Sequence, residues 1–96
     1  MTAVPAKDHF ALSGAIDAAN FKHWKTQGEQ HIAASSEPEV QVDLTGLERS
    51  NSMVVALLLA WLRCADSQGK ALKIAQVPQP LRSIIEFSGL TEVLAI

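Results

Sequence analysis

The chain has 96 residues, of which 48% are apolar, with a formal net charge of −2 and a single cysteine, Cys64. That length suits one domain with one modest core and little surplus for a separate catalytic cleft, and the apolar share excludes a disordered chain. The charge, with lysines and arginines scattered and no tyrosine, argues against a nucleic-acid surface, and a lone cysteine excludes an intrachain disulfide.

Residues 1–8 read as an edge strand or a disordered lead-in; Thr2 to Val4 could pair at an edge, with Pro5 against it. Lys7, Asp8 and His9 interrupt the early apolar residues, so no secretion signal is expected. His9, Phe10, Ala11, Leu12 and Ser13 form a short strand closed by Gly14. Asp17 is placed to cap a first helix, along which Phe21, Trp24, Gly28 and Ile32 recur at helical spacing. Ser35, Ser36, Glu37 and Pro38 end it. Val40, Val42 and Leu44 then alternate with Gln41 and Asp43, as a strand requires.

Thr45, Gly46, Leu47, Glu48 and Arg49 form a loop, and Ser50 or Asn51 caps a second helix that runs to about Gln68. Gly69 stands where a left-handed terminator belongs. Leu72, Ile74 and Val77 mark another strand. Pro78 and Pro80 open a third helix with an apolar stripe of Leu81, Ile84 and Ile85, which Gly89 ends. Leu90, Val93, Leu94 and Ile96 then pack back on the core. Strands alternating with helices predict an α/β domain over residues 1–96, with a mostly parallel or mixed four-stranded sheet and three main helices.

The second helix is apolar almost all round, unlike a solvent-facing one. Either it is central to the fold or one side is kept for another protein. Its unbroken apolar run, residues 53–62, is about half the roughly 20 residues of a membrane span, so no direct membrane insertion is expected. His23 and His31 lie eight apart, too far along a helix to share an ion, and no metal or other cofactor is expected. Neither a Gly-x-Ser-x-Gly elbow nor a phosphate-cradling glycine loop occurs, so the chain reads as a binding module and not an enzyme.

Arg49, Ser50, Asn51 and Ser52 stand at the mouth of that apolar helix, followed by Met53 and Val54. The bland reading is N-capping, since each small polar side chain can accept a helix N–H. One cap suffices, which leaves the others to face outward. A hydroxyl there is a candidate phosphorylation position, because the helix N-terminus stabilises added negative charge; it is equally a candidate protein contact.

Three stretches resemble the STAS domain family, which includes bacterial anti-sigma-factor antagonists. Leu12, Ser13, Gly14, Ala15, Ile16 and Asp17 are similar to its LSGELD segment. Val42, Asp43, Leu44, Thr45, Gly46 and Leu47, then Asn51 and Ser52, then Ala56, Leu57, Leu58 and Leu59, follow its DLSG…DSSGL core. Leu81 through Leu90 resembles its closing segment. Together they cover residues 9–96. The resemblance implies the STAS fold and makes Ser52 the family's regulatory hydroxyl. It departs from the pattern at Asn51, where the family has Asp, and at Met53 and Val54, where it has small residues. These changes argue against phosphorylation by an anti-sigma kinase and for a more apolar, permanent interface.

The brevity of the chain and the Ala-Leu-Leu-Leu run are most similar to one branch, the cytoplasmic STAS subunits of bacterial phospholipid-transport ABC complexes. That resemblance implies a non-catalytic subunit bound to the transporter's ATPase subunit, held at the inner membrane through the complex. Its contact residues would be Arg49, Ser50, Asn51, Ser52, Met53 and Val54. The alternative it implies is a phospho-regulated antagonist that binds an anti-sigma factor kinase through Ser52.

Overall fold

The structure, a computed structural model, describes residues 7–96. Its elements are β1 (Lys7–Ala11), α1 (Phe21–Ala34), β2 (Glu39–Asp43), α2 (Ser52–Ser67), β3 (Ala71–Ala75), α3 (Gln79–Phe87) and the short α4 (Thr91–Leu94). The three strands form a parallel sheet in the order β1-β2-β3. The α/β class is as expected. The expected fourth strand at Thr2 to Val4 lies outside the described residues.

Register explains the single-sided core. Phe10, Val42 and Ile74 share one row across the sheet, and His9, Gln41 and Lys73 share the next. Side chains alternate between faces along a strand. Val40, Val42 and Leu72 are therefore buried beneath the helices, while His9 and Lys73 are exposed on the other face.

The second helix is central to the fold. α2 touches α1, β3, α3 and α4. Val54, Val55, Leu57, Leu58, Trp61 and Ala65 are buried, and Met53, Leu59, Leu62 and Cys64 pack partly against the core. The sheet covers one side of α2 and the other helices cover most of the rest. Ser52, Ala56, Arg63, Asp66 and Ser67 remain exposed along it.

Trp61 sets the spacing of α1 and α2. Its indole is fully buried, and its Nε1 donates to the Lys25 carbonyl of α1 at 3.2 Å. Phe10 meets the indole edge-on with ring centroids 5.3 Å apart, a preferred aromatic geometry. The ring fits because residue 28 is glycine: a Cβ there would sit 2.2 Å from Cε2 and Nε1 of Trp61. At the far end of α1, Lys70 donates from Nζ to the carbonyls of Ile32 and Ser35. A cation so placed satisfies the last carbonyls of a helix and complements its dipole.

Several boundaries differ from the sequence expectation, each for a local reason. β1 stops at Ala11, two residues before the expected Ser13; beyond it, Gly14 at φ +79° turns the chain and bridges Leu47. α1 begins at Phe21 after the cap residue Asn20, not directly after Asp17. The Asp17 carboxylate instead accepts the Ala19 and Asn20 amides at 2.9 and 3.0 Å, closing a turn before the helix. β3 ends at Ala75, and Val77 falls outside it because Gln76 takes a left-handed φ of +59°. In the C-terminal tail Leu94 is buried, with Leu90 and Ile96 packed beside the core, but Val93 is 52% exposed. Gly69, at φ +69°, terminates α2 as expected.

Gly28→Ala tests the helix spacing. Alanine gains about 1 kcal/mol in helix propensity, whereas overpacking a filled core costs about 1–3 kcal/mol. A 2.2 Å approach to a rigid, fully enclosed ring puts this site at the upper end. The variant should lose about 1–2 kcal/mol net, read as a lower denaturation midpoint in chemical unfolding. Unchanged or raised stability would show that Trp61 does not hold the two helices at this distance.

Candidate docking surface at the start of α2

Asn51 closes the open choice between two caps. Its backbone is extended, at φ −153° and ψ 175°. Its Oδ1 accepts from the Met53 and Val54 amides at 2.9 and 3.1 Å, satisfying two of the donors a helix start leaves unpaired. Its Nδ2 donates to the Ile16 carbonyl at 3.1 Å, 35 residues away in sequence. The amide orientation follows from its neighbours: only oxygen can face two N–H groups, and only nitrogen can face a carbonyl.

With Asn51 as the cap, Ser52 is released from that work. It is the first residue of α2, it is exposed, and its hydroxyl makes no hydrogen bond within the described residues. Arg49 is exposed beside it and Ser50 is half-buried. Met53 is half-buried against the core, and Val54 is fully buried within it. This corrects the reading of Val54 as a surface contact and of the helix start as an apolar outer surface. Val54 is turned inward and Met53 is half covered, and the exposed side chains, Arg49 and Ser52, are polar.

The loop between β1 and α1 belongs to the same end of the molecule, which the sequence reading missed. The Gly14 amide donates to the Gly46 carbonyl and the Glu48 amide to the Gly14 carbonyl, both at 2.9 Å. Asn20 accepts from the Asp17 amide and donates from Nδ2 to the Ala15 carbonyl at 2.8 Å. Asp17, Ala18 and Ala19 are exposed on this braced turn. The available signal was Asn51 itself: unlike the Asp of the family pattern, it carries a donor and needs an acceptor.

Other titratable groups do not converge here. No cluster of three histidine, cysteine or acidic side chains able to hold a metal occurs among the described residues. The Cys64 thiol is pushed up from its ordinary range by burial, then by Glu29, and its Sγ lies 3.8 Å from the Glu29 carbonyl. Low thiolate content makes it a packing residue.

With this geometry in view, three comparisons bear on the chain. The family described as "Mlab, STAS domain" matches residues 2–95. A chain of the Acinetobacter MlaFEDB complex, in an ATP-bound conformation, is similar with a TM-score of 0.80 and 31% identity over 90% of each chain. The anti-sigma factor antagonist SpoIIAA, in its unphosphorylated form, is similar with a TM-score of 0.73 and 17% identity, over 95% of this chain and 80% of that one. At that identity the second likeness is one of fold alone. The search of curated proteins gives no match.

At the strand end beside this surface, the Asp43 carboxylate accepts the Thr45 hydroxyl at 2.6 Å and the Thr45 amide at 2.8 Å. These bonds, the hydroxyl first, hold its pKa below the ordinary carboxylate value. A folded-state pKa below the unfolded one stabilises the domain above the unfolded pKa, and that contribution is lost as pH falls through the folded pKa. Thr45→Val removes the larger cause and should raise the Asp43 pKa toward the ordinary value in a carboxyl-resolved NMR titration. An unmoved midpoint would show that the hydroxyl bond does not set it.

Proposed function

The chain belongs to the STAS domain family, in its MlaB group, and from that membership we propose that it is a non-catalytic subunit that docks on the ATPase subunit of a phospholipid-transport ABC complex. The observation that carries this reading is 31% identity over 90% of both chains to a component of the MlaFEDB complex. The start of α2 supplies a suitable contact. Arg49, Ser50 and Ser52 surround a helix start already capped by Asn51, so a partner can use the free Ser52 hydroxyl without unmaking the helix.

No helix of the described residues is long and apolar enough to cross a membrane. In this reading the chain sits at the cytoplasmic side of the inner membrane, held there by its partner. The process served is lipid transport that maintains outer-membrane asymmetry. The anti-sigma kinase alternative has less behind it: Asn51, Met53 and Val54 depart from the family's phospho-acceptor pattern, and the likeness to the antagonist is in fold alone.

Ser52→Arg tests the placement of the contact. The side chain is exposed, so the isolated chain should keep its stability within about 0.5 kcal/mol. Truncation at the centre of an interface costs about 2 kcal/mol or more, roughly 30-fold in affinity, and a bulky charge there should cost at least as much. Co-purification with the ATPase subunit should therefore collapse while the variant stays folded. Undiminished capture would remove Ser52 from the interface.

A further inference from the structure

We propose that Asn51 is the positioning residue of this docking surface, tying the turn of residues 16–20 to the start of α2 so that Asp17, Ala18 and Ala19 are presented beside Ser52 to the same partner. The proposal rests on the docking reading above and adds to it a second element and the device that holds it.

One side-chain amide makes both the cap and the tie. Its oxygen caps α2 through Met53 and Val54, and its nitrogen holds the Ile16 carbonyl. The turn beyond Ile16 is braced from within by Asp17 and Asn20. Its backbone is anchored on the other side by Gly14, which bonds to Gly46 and Glu48. Asn51 thus adds a second anchor two residues further along the chain. Residues 17–19 stand out from these anchors with exposed side chains. A surface fixed before binding loses less ordering entropy when a partner arrives, which raises affinity without a new contact.

Aspartate at position 51 would divide the two tasks. A carboxylate accepts the Met53 and Val54 amides as well as an amide oxygen does, and Asp and Asn are about equal as caps. It cannot donate to Ile16 while ionised, and it would set an oxygen against the carbonyl oxygen. Protonation restores a donor.

The experiment uses the full chain with Asn51→Asp, the purified ATPase subunit of the same organism's MlaFEDB-type complex as probe, and Ser52→Arg as reference. At neutral pH, Asn51→Asp should leave the domain folded with a modestly lower denaturation midpoint, the cost of the lost bond to Ile16. It should speed amide exchange in residues 16–20 relative to the α2 interior and weaken binding roughly three- to tenfold, the loss expected for one hydrogen bond. As pH falls through the introduced carboxyl's pKa, the variant's affinity relative to wild type should recover, because the protonated carboxyl again donates to Ile16. A merely structural defect would raise exchange throughout α2 and would not recover in acid. Wild-type binding by Asn51→Asp at neutral pH, or a loss without acid recovery, overturns the positioning role. If Ser52→Arg also binds normally, the placement of the contact at the start of α2 fails; if the unaltered chain does not bind the ATPase subunit, the docking reading itself fails; if Ser52→Arg abolishes binding while Asn51→Asp does not weaken it, only the role of Asn51 fails.

Discussion

The contact between Gly28 and Trp61 is the constraint on which the rest of the structure depends. A buried indole is among the largest side chains a small core can hold, and its N–H needs a partner. Here the partner is a backbone carbonyl of the neighbouring helix, at Lys25, reached because Gly28 gives the ring room to lie against α1. Phe10 closes the other side from β1. One residue of α2 is thereby referenced to both the sheet and α1. A rigid helix carries that reference to its own N-terminus, where Asn51 and Ser52 stand.

A helix apolar on every side looks, in isolation, like one that has kept a face for a partner. The structure resolves this by enclosure. The sheet takes one side of α2, and α1, α3 and α4 take most of the rest. In a domain this small, putting one helix at the centre is how a single core reaches enough buried apolar area. The consequence for function is geometric. Its flanks are mostly occupied, and its start lies at the carboxyl ends of the parallel strands, where open α/β sheets commonly place their binding sites.

Much of this was legible in the sequence. The alternation of Val40 and Val42 fixed which side of β2 is buried, Gly69 marked the end of α2, and the three STAS-like stretches gave the fold. What was not legible has definite causes. Periodicity cannot orient a helix whose apolar residues run all round, so Met53 and Val54 read as outer surface although one is half-buried and the other fully buried. Asp17 and Asn20 are both good caps, and their competition is settled by a turn in which each bonds the other's backbone. The tie from Asn51 to Ile16 spans 35 residues and exists only in three dimensions.

The division of labour at residues 51 and 52 gives the proposed docking surface its physical logic. A hydroxyl that caps a helix cannot be given to a partner without leaving backbone donors unpaired, a cost of about 1–3 kcal/mol for a buried group. Placing the cap on Asn51 removes that conflict, since both helix donors are satisfied before any partner arrives. Ser52 then presents a free hydroxyl from a helix start that is fixed on one side by the core and on the other by the turn at Ile16. Val54 and the half-buried Met53 complete the arrangement: they anchor the first turn in the core, and the side chains left exposed there, Arg49 and Ser52, are polar. Such a surface is suited to recognition by shape and a few directed hydrogen bonds more than by broad apolar adhesion. In the proposed docking, its specificity would rest on how firmly Asn51 and Gly28 hold the backbone behind it.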